Sequence, residues 1–208
     1  MKKLLLLLFV TALFSVNAQE YVIIKDYSFE DSYGYESSFL TTSLKKEKNG
    51  KVEKNEVIIK KGKKIFPQFS IPFSELENFK QFLSDGLSKF KKWDSLRVEN
   101  NIVEMKKQIS VFDKEVSFVG DDYGVFIMDT NVELNFISWK SGKSVMQLRI
   151  YANNGVRSDG FGEYLHYDNK ELKKTANNNA FQSFLNDLSE EKFIKEKEKI
   201  NSKASLFD

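Results

Sequence analysis

The sequence predicts an α+β fold in which antiparallel β-sheet is packed by two amphipathic helices. Short runs rich in β-branched and aromatic residues recur through residues 21–71 and again through 109–151. Each series closes on a hairpin-like pair of apolar runs around a glycine, Gly62 in the first and Gly142 in the second. Each is followed by a stretch with apolar residues every three or four positions, the period of one helix face.

Taken in order, Tyr21–Ile24 and Phe39–Leu44 read as strands. Val57–Ile59 then turns through Lys60–Lys64 into Ile65–Ile71, and Pro67 marks that second run as an edge or interrupted strand because it cannot donate to a ladder. Ser74-Glu75-Leu76-Glu77 has the form of a capping box. Leu76, Phe79, Leu83, Leu87 and Phe90 give the helix that follows one apolar face, which runs through Trp93 and stops before Asn100. Gly86 weakens its middle by about 1 kcal/mol relative to alanine.

The second half repeats the plan. Ile109–Phe112, Val116–Val119 and Val125–Met128 are strand-like, and Val132–Trp139 with Ser144–Tyr151 makes a hairpin around Lys140–Lys143. A second amphipathic helix runs from Ala180 and carries Phe181, Phe184, Leu185 and Leu188, with a Glu191–Lys195 pair outside. Phe79-Lys80-Gln81-Phe82-Leu83-Ser84-Asp85 aligns with Phe181-Gln182-Ser183-Phe184-Leu185-Asn186-Asp187. Residues 20–101 and 102–205 therefore read as a duplicated ββββα unit.

Ahead of this body stands an export signal. Lys2 and Lys3 precede an apolar run from Leu4 to Val16, and Val16 and Ala18 satisfy the small-residue rule for cleavage before Gln19. The run is short of the roughly 20 apolar residues a spanning helix needs. Residues 1–18 are thus read as a secretory signal peptide and 19–208 as the mature domain, secreted or periplasmic. The chain has no cysteine, so no lipid anchor can form, and no membrane span is expected after cleavage.

Cleavage also removes the apparent basicity. The full chain carries a formal charge of +2, and both Lys2 and Lys3 leave with the signal, so the mature chain is neutral. Nucleic-acid binding draws on an excess of Lys and Arg to displace counterions from phosphate, and none remains. A core of this size needs no disulfides, and the phenylalanines, 19 in the full chain, supply it.

The two halves differ in one place. Gly142 lies 39 residues before Phe181, whereas Gly62 lies 17 before Phe79, which places an insertion within Asn153–Asn179. Long connections in compact domains are uncommon and tend to be functional or disordered. This one holds the sole histidine, His166, together with Arg157, Asp159 and Tyr164, and these four are the candidate ligand-binding residues. Tyr151, Phe161, Tyr164 and Tyr167 around it suit glycan or protein recognition, since each tyrosine offers ring area and a hydroxyl.

A single histidine rules out the usual zinc sites and any two-histidine mechanism. No nucleophile elbow, P-loop, dinucleotide-binding glycine pattern or calcium loop occurs, so no catalytic residue, metal or cofactor is assigned. The reading is an exported binding or envelope-associated module with a protein or glycan partner. Its rivals are a hydrolase using His166 with Asp159 or Glu163, and a single-stranded nucleic-acid binder.

The repeated order of four strands and a helix resembles the duplicated ββββα arrangement of the Pur-alpha and Whirly single-stranded nucleic-acid-binding proteins. That resemblance implies nucleic-acid binding, and the neutral mature charge and export argue against carrying the function over. Val16-Asn17-Ala18-Gln19, and the run from Ile71-Pro72-Phe73-Ser74-Glu75-Leu76 to Trp93-Asp94, also resemble uncharacterised secreted proteins of AT-rich Gram-negative bacteria. This implies an address and no activity.

Overall fold

The computed structural model describes residues 21–30, 36–61, 68–114, 116–119, 128–152, 166–168 and 171–206. Residues 1–18, read from the sequence as a signal peptide, lie outside the described residues. The fold is α+β, as the sequence predicts. Its strands are β1 (Tyr21–Glu30), β2 (Glu36–Lys45), β3 (Glu56–Lys61), β4 (Gln68–Pro72), β5 (Met105–Phe112), β6 (Ser117–Val119), β7 (Met128–Ser138), β8 (Ser144–Ala152) and β9 (His166–Asp168). Its α-helices are α1 (Leu76–Glu99), α2 (Glu171–Asp187) and α3 (Glu190–Ala204). No helix among the described residues is long and apolar enough to cross a membrane.

Every strand pairing is antiparallel, and the strands follow the path β1-β2-β3-β4-β6-β7-β8-β9. β7 joins the two halves: Met128 and Asp129 pair with β6, while Val132–Ser138 pair with β5. Pro67 lies outside the described residues, and β4 begins directly after it. β4 is not an edge strand, because β3 and β6 flank it. A proline placed before the first ladder residue costs the sheet no donor.

α1 supplies the centre of the core. Leu76, Phe79, Leu83, Gly86, Leu87 and Phe90 are buried at the expected spacing. Phe79 meets Phe69 and Phe112 with ring centroids 6.1 and 5.2 Å apart, and Phe90 meets Phe136 at 5.4 Å. The capping box does not form. A 3-10 turn over Phe73–Glu75 takes up Ser74, and the helix starts behind Glu75 with no side-chain cap. The far end is tied to the β7–β8 turn by buried Arg97. Its guanidinium donates to Asp94 Oδ1 at 3.1 and 3.2 Å and to the Gly142 carbonyl at 3.2 Å, while Ser144 Oγ donates to the same Asp94 oxygen at 2.5 Å.

The second helix differs from its sequence reading at both ends. α2 begins at Glu171 rather than Ala180, so part of the 153–179 stretch is helix and part is β9. Asparagine and lysine are poor signals of a core-facing helix, and packing against β1 and β9 overrides them. The chain then breaks at Leu188-Ser189, where Ser189 is extended, and continues as α3. α3 docks on the β2–β3 connection through Asn201, which accepts from the Val52 amide at 2.7 Å and donates to the Val52 carbonyl at 3.1 Å.

The break between α2 and α3 is organised around Asp187. Its carboxylate accepts from Tyr27 Oη at 2.8 Å, pairs with Lys25 at 2.7 Å and is also bonded to Lys192. Partial burial pushes the carboxyl upward, but hydrogen bonds from Lys192, Lys25 and Tyr27 outweigh it and hold Asp187 below the usual carboxylate range. Burial, reinforced by Asp187, raises the Tyr27 phenol far above its ordinary value. A depressed folded-state carboxyl contributes stability that is complete above the unfolded value of about 4 and is lost as pH falls through the folded one. Asp187→Asn is therefore expected to lower the urea midpoint at pH 7 and to make little difference near pH 2. Equal losses at both pH values would show that the carboxylate charge is not what holds this junction.

Candidate functional site

Alternation along β7 and β8 sorts their residues onto two faces. Val132, Leu134, Phe136, Met146 and Leu148 belong to the core that α1 covers. Glu133, Asn135 and Ile137, with Val145, Gln147 and Arg149, take the opposite face. Register then lines up a polar row across that outer face. Gln108 on β5 pairs with Asn135 on β7, Asn135 pairs with Gln147 on β8, and Gln147 pairs with His166 on β9. Adjacent members stand about 4.8 Å apart in the hydrogen-bonding direction of the sheet. The next row holds Val111, Glu133 and Arg149.

The row is polar yet closed at its centre. Asn135 is 5% exposed and Gln147 3%, whereas Gln108 at the β5 end is exposed. Asn135 Nδ2 is fully buried and has no hydrogen-bond partner among the described residues. A buried amide that finds no acceptor costs about 1–3 kcal/mol, and Asn135 Nδ2 finds none among the described residues. A carboxamide presents two donors and an acceptor and does not titrate. The arrangement suits recognition of hydroxyl or amide groups.

Of the four residues singled out in the sequence, Arg157, Asp159 and Tyr164 lie outside the described residues. His166 opens β9, and its backbone stands opposite Gln147. Asn135 and Gln147 were not anticipated, although a signal for them exists. The turn at Gly142 fixes the β7–β8 register, and that register sets two carboxamides directly across from each other at alternate positions.

The first sheet holds another unusual polar group. Lys60 is 8% exposed, its Nζ lies 3.1 Å from the centroid of the Tyr21 ring, and burial lowers its pKa to about 8. It sits opposite Thr41 and Gln68 on β2 and β4 and shares no strand with the carboxamide row. No protein-family model matches the chain, and no curated protein or solved structure matches it.

Proposed function

We propose that the chain is an exported binding module that takes a hydroxyl-rich ligand, of glycan class, on the outer face of the β5-β7-β8-β9 sheet. The observation that carries this reading is the buried Asn135 amide, without a hydrogen-bond partner among the described residues, within the row Gln108, Asn135, Gln147 and His166. A sugar hydroxyl both accepts and donates, so it matches a carboxamide in both roles. Entry is from the exposed Gln108 end, and the ligand replaces whatever shields Asn135. Export follows from the signal at residues 1–18 and accounts for a ligand met outside the inner membrane.

The test uses the chain recovered from the periplasm of a Gram-negative host, with its amino terminus at Gln19 verified by mass. It is titrated with solubilised peptidoglycan fragments and with neutral β-linked oligosaccharides. Binding by one of these is expected, together with a loss of about 10-fold or more on Asn135→Ala or Gln147→Ala, the cost of removing a buried hydrogen-bond partner. Failure of every glycan to bind, or binding indifferent to both substitutions, would overturn the reading.

A further inference from the structure

The end of the molecule where α1 passes into β5 concentrates exposed apolar surface. Of the eight large apolar side chains exposed among the described residues, four fall in one short stretch, Leu96 at 43%, Val98 at 60%, Ile102 at 41% and Val103 at 54%. The local sequence makes them converge. Asn101 adopts φ +55°, a left-handed conformation that asparagine tolerates. α1 thereby closes in a Schellman motif, in which the Asn101 amide donates to the Val98 carbonyl at 3.2 Å and the Ile102 amide to the Arg97 carbonyl at 2.9 Å. Arg97 gathers the neighbouring connections, since its guanidinium reaches the Ile102 carbonyl at 3.4 Å and the Gly142 carbonyl at 3.2 Å. The β7–β8 turn with exposed Lys140 therefore belongs to the same end. So do both tryptophans of the chain, Trp93 one helical turn before Arg97 and Trp139 at the start of the β7–β8 turn.

We propose that this end docks on an anionic phospholipid membrane, with Leu96, Val98, Ile102 and Val103 entering the interface and the surrounding lysines meeting the headgroups. Apolar residues exposed singly need no explanation, but a cluster of them on one chain reversal marks an interaction site. Lys92, Lys106, Lys107 and Lys140 are exposed around the cluster, against the exposed carboxylates of Glu99 and Glu104. Asp94 adds no free charge, because Arg97 and Ser144 hold it. Four lysines against two carboxylates leave the rim basic, and long lysine stems lie along apolar surface while their heads reach phosphate. Lipid asks for no shape complementarity, which an open turn does not offer, and tryptophan favours the boundary between hydrocarbon and headgroups. A nucleic acid would use the rim and leave the four apolar side chains in water. The contact lies on the membrane and does not cross it. It shares no residue with the carboxamide row and does not depend on the glycan reading.

Sedimentation with vesicles of phosphatidylglycerol tests this against vesicles of phosphatidylcholine, using the chain from Gln19 onward so that the apolar run at residues 4–16 does not contribute. Phosphatidylglycerol is expected to bind the chain several-fold more tightly, and the preference should vanish in about 1 M salt, where charges are screened within about 3 Å. Brominated acyl chains should quench the emission of Trp93 and Trp139. Val98→Ser with Val103→Ser should weaken binding to both lipids by about 10-fold or more. Lys106→Gln with Lys140→Gln should weaken phosphatidylglycerol binding by about five-fold for each charge removed and leave phosphatidylcholine unchanged. All four positions are exposed, so the fold tolerates these substitutions. No binding to phosphatidylglycerol, equal binding to the two lipids, binding without quenching, or indifference to the serine pair would each overturn the proposal. A lipid-free dimer that the serine pair dissociates would overturn it too, because a second copy would then cover the patch.

Discussion

Replacing Asp94 by alanine is expected to cost about 3 kcal/mol of folding stability, near the lower end of what is lost when one partner of a buried ion pair is removed. The side chain of Arg97 is 7% exposed and that of Asp94 19%, so water does not replace the missing carboxylate freely. The guanidinium loses both bonds to Asp94 Oδ1, and Ser144, which is fully buried, loses its acceptor. The figure stays near the lower end because Arg97 keeps the carbonyls of Ile102 and Gly142. Chemical denaturation at neutral pH would read the loss as a lower midpoint with an unchanged slope. The diagnostic comparison is the double variant Asp94→Ala with Arg97→Met, which removes the stranded charge and should recover part of the loss. If the double variant is weaker than Asp94→Ala alone, the stranded charge is not the cause.

Gly86→Val should be destabilising by about 3 kcal/mol, the upper part of the range for overpacking a core. A Cβ at Gly86 would stand 2.2 Å from Leu134 Cδ1, 3.5 Å from Leu134 Cγ and 3.6 Å from Met146 Sδ. Leu134 and Met146 are fully buried, so neither has free volume into which to retreat. Gly86→Ala is the sharper test. Helix propensity alone favours alanine by about 1 kcal/mol, and the close approach opposes it by about 1–3 kcal/mol. A lower melting temperature for the alanine variant is therefore expected. A higher one would show that Leu134 changes rotamer at little cost and that the glycine is only a weak point in the helix.

Gly86 also shows where sequence reasoning stops. Its spacing among Leu83, Leu87 and Phe90 identifies the buried face of α1, and the structure buries all of these residues. Period alone registers a glycine there as a loss of propensity, whereas its reason is a strand 48 residues later whose leucine needs the space. The same limit applies to the sheet. The hairpins β3–β4 and β7–β8 are local and were legible from their glycine turns, while the β4–β6 pairing joins elements on either side of α1 and has no local signature.

The candidate site divides along the same line. His166 stood out because it is the only histidine, and its register is now given by β9. The partners that make the row chemically distinctive come from β5, β7 and β8, and each looks like an ordinary outward-facing polar residue within its own strand. Only cross-strand register makes them neighbours. The Asn153–Asn179 stretch reads as an inserted connection because the second half is longer there than the first, yet β9, which pairs with β8, and the start of α2 occupy its second half.

The docking of the last two helices on the first strands also governs when this protein is able to fold. Lys25 and Tyr27 on β1 meet Ser183 and Asp187 at sequence separations of 158 and 160 residues, and Val52 meets Asn201 across 149. Contacts of such long range are slow to form, because the chain between them must be ordered before they repay that cost. The amino-terminal strands therefore leave a ribosome before the helices that complete their core, and that core stays open until α2 and α3 have been made. Until those helices are made, the faces of β1 and the β2–β3 connection that they cover stay open to other contacts.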